Sequence, residues 1–139
     1  MEEFDLSRYI DAQEGVYGSA LAELRKGKKQ GHWMWFIFPQ IAGLGRSDMS
    51  KRYAIASLDE ASAYLKHKVL GPRLEECSRA IIDLHGKSAR KIFGETDEMK
   101  LRSSATLFAE ASGPGSVFHE VLQKYFNGEH DSKSLDLLR

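Results

Sequence analysis

The sequence predicts an all-α fold of about six to eight helices, several of them short. Apolar residues recur at helical spacing along most of the chain, β-branched residues are sparse, and alternating apolar and polar windows are absent. At 139 residues the chain has the length of one domain, which we expect to span residues 1–139. The short helices argue against a regular four-helix bundle.

The N-terminal part of the chain predicts one helix from Ser7 to Lys26. Gly27 suits the end of this helix, because glycine adopts the left-handed conformation that often terminates helices. Gly15 and Gly18 weaken it by roughly 1 kcal/mol each relative to alanine. Close packing against another backbone would explain why they are present. The helix has one apolar stripe, formed by Ile10, Tyr17, Leu21 and Leu24.

Capping residues and helix breakers divide the rest of the chain. Ser57 and Glu60 form a capping box, so a helix is expected to begin near Leu58. Pro72 suits the first turn of the next helix. The remaining expected boundaries are an end at Gly86, a short helix capped by Ser88 and ending near Gly94, a helix capped by Thr96 that runs from Asp97 to about Ala111, a helix from Val117 to near Gly128, and a last one capped by Ser132.

The segment from Trp33 to Pro39 is apolar without interruption. We favour a short buried helix over a buried strand, since no partner strand is evident elsewhere. Tryptophan offers a flat ring for stacking, and the preceding His32 is suited to proton transfer near neutral pH. The alternative is a core segment in which His32 lies at a helix end.

A glycine-containing loop runs from Gly43 through Gly45 and Arg46 to Ser47. Glycines allow the backbone to approach a ligand, its N–H groups can bind an anion, and Arg46 adds positive charge. The spacing does not match a Walker loop. The alternative is a plain loop in which Ser47 or Ser50 caps a helix.

A third candidate group consists of Asp97, Lys100, Ser103, Ser104 and Thr106. Hydroxyl residues are poor helix formers, so three of them close together need backbone hydrogen bonds or a ligand. A cation beside hydroxyl groups suits a phosphate or a hydroxylated ligand. The alternative is the packing of small residues where two helices cross.

Composition narrows the class of protein. The 20 Lys and Arg residues balance 20 Asp and Glu residues, which argues against a nucleic-acid or membrane-surface binder. The basic run from Arg25 to Lys29 is expected to be a solvated loop. The single cysteine, Cys77, excludes an intramolecular disulfide framework and is expected to be inert. The acidic N-terminus is unlike a signal peptide, so we expect a cytoplasmic protein. We also expect neither a metal nor a cofactor, since no metal-ligand motif is present.

Three of these segments resemble the DUF1810 family, and the resemblance extends from Phe4 to Leu138. The segments are Gly31 to Gln40, Gly43 to Ser47, and Asp97 to Phe108. The resemblance implies a small, mainly α-helical bacterial protein of uncharacterised function. The positions of this sequence that match the family's pattern are Gln13, Tyr17, His32, Trp33, Trp35, Pro39, Gln40, Gly43, Gly45, Ser47, Tyr53, Asp97, Lys100, Ser103, Ser104, Thr106 and Asp131.

These residues predict one shared pocket for a small nucleotide-like or anionic ligand, with His32 and Asp97 as the proton-transfer pair. In general layout the chain is also similar to the NADAR helical proteins, which act on ADP-ribose linkages. That similarity implies hydrolytic chemistry, whereas the residues leave open whether the protein is an enzyme. The alternative is an interaction module that docks a protein partner through the Trp-rich segment. The expected ligand-binding residues are Trp33, Trp35, Gln40, Gly43, Gly45, Arg46, Ser47, Tyr53, Lys100, Ser103, Ser104 and Thr106.

Overall fold

Helices make up the regular secondary structure of residues 4–139, which a computed structural model of the chain describes. There are ten helices within these residues, six of them with seven or more residues, so the predicted all-α fold is confirmed. An isolated parallel bridge joins Ile41 to Ile55. The helices are α1 Ser7–Gln13, α2 Tyr17–Lys26, α3 Met34–Ile37, α4 Asp48–Arg52, α5 Leu58–Lys66, α6 Leu70–Ile82, α7 Ala89–Phe93, α8 Glu95–Ser112, α9 Val117–Phe126 and α10 Ser132–Leu137.

The longest helix, α8, packs against α5, α7, α9 and α10. Its residues 103–109 are all buried. The ring of Phe108 lies between those of Tyr64 in α5 and Phe118 in α9, with centroid distances of 5.3 and 5.6 Å. The first two turns of α8 emerge from this core and are partly exposed. The fold therefore buries the middle of α8 and presents its beginning at the surface.

The predicted first helix is wrong, because the chain breaks it into α1 and α2. Gly15 lies in the break with a φ of +74°, a conformation that a regular right-handed helix does not contain. Gly18 lies near the start of α2, and a Cβ added there would meet nothing within 4 Å. Close backbone packing therefore does not explain Gly18.

Serine caps and one glycine stop lie where the sequence predicts them. The Ser57 and Ser88 side chains accept hydrogen bonds from the backbone N–H groups three residues later and begin α5 and α7. Gly27 ends α2 with a φ of 75°. Pro72 lies in the first turn of α6. These signals were reliable because each satisfies a local backbone requirement.

Three predicted boundaries are corrected. The longest helix begins at Glu95 after Gly94, so Thr96 lies inside its first turn and does not cap it. The last helix is capped by Asp131, whose carboxylate accepts a hydrogen bond from the N–H of Ser134, and not by Ser132. Helix α6 ends at Ile82, four residues before the predicted stop at Gly86.

The apolar segment from Trp33 onward forms the short helix α3, as predicted. Trp33 is 2% exposed and Phe36 is 7% exposed, whereas Trp35 is only partly buried and His32 is exposed. Gln13 of α1 donates a hydrogen bond to the carbonyl oxygen of Phe36 over 2.8 Å. Among residues 4–139, no helix is long and apolar enough to cross a membrane.

Candidate ligand-binding cleft

A cleft of about 240 Å³ lies between the connector that precedes α3 (residues 27–33) together with α3, and the first two turns of α8. Four of the predicted site residues line it, although they come from distant parts of the sequence. The full lining consists of Lys29, His32, Met34, Trp35, Thr96, Asp97 and Lys100. The fold thus brings together the predicted pair His32 and Asp97 with the predicted ligand contacts Trp35 and Lys100.

Two lysines share one carboxylate in this cleft. The Nζ atom of Lys29 lies 2.8 Å from Oδ2 of Asp97, and that of Lys100 lies 3.2 Å from Oδ1. Lys29 also donates a hydrogen bond to the carbonyl oxygen of Gly31. The side chains of Lys29, Lys100 and Asp97 are 8%, 21% and 17% exposed. Two ammonium groups therefore share one carboxylate in a partly buried cluster.

Each of these lysines also lies over a tryptophan. The Nζ atom of Lys100 is 5.0 Å from the centroid of the Trp35 ring, and that of Lys29 is 4.9 Å from the Trp33 ring. These distances are within the range of cation–π attraction. The partly exposed Trp35 and Lys100 together present an aromatic ring beside a positive charge.

Glu23 in α2 fixes the connector. Its Oε1 atom accepts hydrogen bonds from the N–H groups of Gln30 and Gly31 at 2.7 and 2.8 Å, and from Nε1 of Trp33 at 3.0 Å. Burial raises the pKa of Glu23, but these hydrogen bonds and the charge of Lys29 outweigh that effect, so the pKa lies below its usual value. Trp33 therefore belongs to the core, and Trp35 is the tryptophan whose ring is partly exposed at the cleft.

The loop from Gly43 to Ser47 does not line the cleft. Ser47 caps α4, because its Oγ atom accepts a hydrogen bond from the N–H of Ser50 at 3.1 Å. A Cβ on Gly45 would lie 2.4 Å from the Cβ of Ser50, so this glycine permits the close approach of loop and helix. Arg46 is exposed on the same loop. The structure thus supports the alternative interpretation of a plain loop and a helix cap.

The predicted hydroxyl residues of α8, namely Ser103, Ser104 and Thr106, are also outside the lining. Ser103 and Thr106 donate to carbonyl oxygens four residues earlier, at 3.0 and 2.8 Å. Thr106 accepts a further hydrogen bond from the N–H of Asp131, which holds the start of α10 against α8. Ser104 is 1% exposed, and its Oγ atom has no hydrogen-bond partner among residues 4–139. These three hydroxyls therefore lie in the packing of α8 and not on the cleft surface.

The last two predicted contacts, Gln40 and Tyr53, take part in packing. The carbonyl oxygen of Gln40 accepts a hydrogen bond from the N–H of Ile55 at 2.8 Å. Tyr53 is 8% exposed, and its carbonyl oxygen accepts a hydrogen bond from the hydroxyl of Tyr9 at 2.8 Å. Neither residue lines the cleft.

Three lining residues were missed from the sequence, namely Lys29, Met34 and Thr96. Lys29 was expected in a solvated basic loop, and that expectation is wrong because its side chain is 8% exposed and paired with Asp97. Nothing in the local charge pattern distinguishes Lys29 from the neighbouring Lys28. The feature of the sequence that could have identified Lys29 was the nearby Trp33, because a tryptophan ring attracts a cation.

A second, larger cleft of about 460 Å³ lies between the start of α6 and the start of α9. It contains none of the predicted site residues. Its charged lining residues are Glu75 and Arg79, and Arg79 pairs with Glu120 at 3.0 Å. In the part of the chain that the structure describes, no three His, Cys, Asp or Glu side chains are grouped to hold a metal ion.

Comparison with known families agrees with this fold and sequence. The model of the family described as "Protein of unknown function (DUF1810)" matches residues 3–138. The chain belongs to the DUF1810 family. The crystal structure of the conserved hypothetical protein Rv1873 from Mycobacterium tuberculosis is 50% identical, and the alignment covers 99% of this chain and 98% of that one with a TM-score of 0.96. No curated protein gives a significant match.

Proposed function

We propose that this DUF1810 protein binds a small anionic ligand in the cleft between α3 and α8. The observation that carries the proposal is that Lys29 and Lys100 both lie against the one carboxylate of Asp97, so Lys100, the more exposed of the two, shares its carboxylate partner. Partial burial strengthens the attraction of such a charge for an anion, because less water screens it. A phosphate or carboxylate group of the ligand supplies a further negative charge at Lys100.

The two lysines have different roles in this proposal. Lys29 is more buried and lies closer to Asp97, at 2.8 Å, and it also donates to the backbone of the connector. Lys100 is more exposed and lies farther from Asp97, at 3.2 Å. Lys100 therefore turns toward the ligand, while Lys29 holds the carboxylate in place. Charge-assisted hydrogen bonds of this type are about twice as strong as neutral ones.

Trp35 and the size of the cleft restrict the rest of the ligand. The partly exposed ring of Trp35 offers a stacking surface for a planar group such as a nucleobase. The cleft, at about 240 Å³, is smaller than the roughly 300–1,000 Å³ of a typical drug-sized site. It therefore encloses an anionic group and part of one ring, with the rest of a nucleotide-like ligand in solvent.

Hydrolysis of such a ligand is a second candidate, favoured by the fact that His32 and Asp97 line the same cleft. Both carboxylate oxygens of Asp97 are already engaged by lysines, Oδ2 by Lys29 and Oδ1 by Lys100. We therefore assign proton transfer to His32, an exposed side chain at the mouth of the cleft, and a positioning role to Asp97.

The competing interpretation is a docking surface for a protein partner. Trp35 is the one aromatic side chain of the Trp-rich segment that is partly exposed. The buried residues of this segment include Trp33, Met34, Phe36, Ile37 and Phe38. One partly exposed ring is a small apolar surface for docking a helix. This burial supports the small-ligand proposal over the docking proposal.

Calorimetry and thermal unfolding test the binding proposal. The ligands are inorganic phosphate, ribose 5-phosphate, AMP and ADP-ribose, and a ligand at 100 times its Kd stabilises the fold by about 2.7 kcal/mol. We expect Lys100→Gln to weaken binding by about tenfold or more, equivalent to about 1.4 kcal/mol. Lys133→Gln is the matched control, since it removes the same charge from an exposed position on α10.

Two results would contradict binding in the cleft. One is that none of the four anions stabilises the protein, and the other is that Lys133→Gln weakens binding as much as Lys100→Gln does.

Hydrolysis is tested separately by incubating AMP and ADP-ribose with the protein and following products by chromatography. Product formed by wild type and lost in a folded His32→Gln variant supports catalysis, and binding without any product leaves the protein a binder.

A further inference from the structure

A set of lysines, here called the lysine edge, adjoins the cleft and consists of Lys28, Lys87 and Lys91. Lys28 is exposed and directly precedes the cleft residue Lys29. The Nζ atom of Lys87 donates a hydrogen bond to the carbonyl oxygen of Gly27 at 3.0 Å, so its ammonium group lies on the connector. These three side chains therefore come from the connector itself and from the segment that packs on it.

A backbone contact places the third lysine next to the connector. The N–H of Lys29 donates to the carbonyl oxygen of Ile92 in α7 at 2.8 Å. Lys91 directly precedes Ile92 and is exposed. Because Gly27 and Lys29 are two residues apart, their Cα atoms are separated by about 7 Å at most. The contacts of Lys87 and α7 with the connector therefore lie within one short stretch of backbone.

The lysine edge has no carboxylate partner among residues 4–139, although its basic neighbours do. No oxygen of Asp or Glu lies within 4.0 Å of Nζ in Lys28, Lys87 or Lys91, whereas Arg90 pairs with Glu98 at 2.8 Å. The whole chain has a formal net charge of zero. The edge is therefore a local excess of positive charge on a neutral protein.

Three of the four acidic residues nearby are engaged in hydrogen bonds or ion pairs. Glu23 accepts three N–H hydrogen bonds, Asp97 is held by two lysines, and Glu98 is paired with Arg90. Glu95 is the other acidic side chain in the first turn of α8 and is exposed. The lysines of the cleft and the edge, together with Arg90, therefore outnumber these four carboxylates.

We propose that the ligand of the cleft carries at least two linked phosphate groups, of which the first lies at Lys100 and the second reaches the lysine edge. This inference rests on the proposed function. At 0.1 M salt the Debye length is about 10 Å, so ammonium groups on the connector and on the segment packed against it attract the second phosphate of a ligand that extends along the connector. Lysine is a compact charge on a flexible stem, which suits a flexible phosphate chain better than a planar carboxylate.

The test compares inorganic phosphate, pyrophosphate and tripolyphosphate by calorimetry at about 0.05 M and about 0.2 M salt, since ionic strength sets the screening length. We expect pyrophosphate to bind at least about tenfold more tightly than phosphate to the wild type. A variant with Lys28→Gln, Lys87→Gln and Lys91→Gln should lose this gain and keep its affinity for phosphate. The matched control replaces three exposed lysines outside the cleft, with Lys51→Gln, Lys66→Gln and Lys133→Gln, and should keep the gain.

Each outcome decides between the two proposals. If phosphate binds and pyrophosphate binds no more tightly, the second phosphate site is overturned while the anion site remains. If the triple variant of the edge, with an unchanged Tm, retains the full gain, the lysine edge is not the second site. If wild type binds none of the three anions, both proposals fail. A larger loss in the edge variant than in the control, greatest at low salt, supports the inference.

Discussion

The Nζ atom of Lys29 lies 2.8 Å from Oδ2 of Asp97, so an ion pair joins the connector ahead of α3 to the first turn of α8. The pair links two segments that are distant in sequence, and it forms one wall of the cleft. The Lys29 side chain is 8% exposed, so its charge would be poorly hydrated without Asp97. Removing the carboxylate therefore has opposite effects on the fold and on anion binding.

We expect Asp97→Asn to destabilise the unliganded protein and to increase its affinity for anions. The variant leaves the charge of Lys29 without its partner, which costs roughly 1–3 kcal/mol. It also removes the carboxylate that competes with a bound anion for Lys100. Urea unfolding should show the loss of stability, and added phosphate should restore more stability to the variant than to wild type.

Asp136→Asn is the matched control for this prediction. It makes the same chemical change in an exposed ion pair with Arg139, whose N–O distance is 3.7 Å. Exposed pairs contribute about 0–1 kcal/mol, so this variant should unfold and bind anions like wild type. Weaker phosphate binding by Asp97→Asn than by wild type would show that the carboxylate supports the ligand and does not compete with it.

The sequence predicted the local features of this fold well, because they depend on neighbouring residues. The caps Ser57 and Ser88 and the stop at Gly27 each satisfy backbone groups within one helical turn. The break at Gly15 was missed, since the apolar stripe continues across it and a glycine within such a pattern is compatible with a helix.

The cleft was predictable only in part, because tertiary contacts build it. His32 and Trp35 were identified from an unusual apolar segment, and Asp97 and Lys100 from an unusual group of polar residues on one helix. Lys29 was missed because its burial depends on Asp97, which reaches it only in the folded chain. The resemblance to DUF1810 identified the residues that match the family's pattern. It did not distinguish the residues that line the cleft from those that pack in the core.

The two tryptophans should be separable by substitution. Trp33→Phe removes a buried Nε1–H that donates to Glu23 and leaves a smaller ring in the core, so we expect a loss of roughly 1–3 kcal/mol. Trp35→Phe should cost less than about 1 kcal/mol, because Trp35 is partly exposed. Urea unfolding of both variants measures the difference.

Fluorescence then connects Trp35 to the ligand. AMP that stacks on Trp35 should quench the emission of wild type and of Trp33→Phe, and should leave Trp35→Phe unquenched. Quenching of equal depth in both variants would count against stacking on Trp35. Acrylamide, a neutral quencher, controls for the exposure of each ring.

Two glycines are expected to respond in opposite ways to alanine. A Cβ on Gly71 would lie 2.1 Å from the backbone oxygen of Leu65, so Gly71→Ala should destabilise the fold by roughly 1–3 kcal/mol or more. A Cβ on Gly18 meets nothing within 4 Å, so Gly18→Ala should stabilise it by roughly 0.4–1 kcal/mol. Thermal unfolding measures both, and a stabilised Gly71→Ala variant would refute the predicted clash.

The pH dependence of stability should reveal the hydrogen bonds to Glu23. Its pKa in the folded protein lies below the ordinary value for a glutamate, because three N–H groups and Lys29 stabilise the carboxylate. A carboxylate with a lowered pKa stabilises the fold above its unfolded pKa, and this contribution is lost as the pH falls through the folded pKa. Glu23→Gln should therefore be less stable than wild type at pH 7, by roughly 1 kcal/mol, because a neutral amide oxygen accepts the three hydrogen bonds more weakly.

The measurement is urea unfolding of wild type and Glu23→Gln from pH 7 to pH 3. The difference between the two should be constant down to about pH 4.5 and should shrink below it, since wild type then loses the charge that the variant never had. Glu110→Gln, an exposed glutamate of α8, controls for the change in net charge and should shift the unfolding free energy by less than about 0.5 kcal/mol throughout. Curves for wild type and Glu23→Gln that stay parallel down to pH 3 would mean that Glu23 does not hold the connector through its charge. If the unfolding free energies of wild type and Glu23→Gln converge at low pH and those of wild type and Glu110→Gln do not, the charge of Glu23 in α2 holds Trp33 and Lys29 in position. The wall of the cleft would then depend on this one carboxylate.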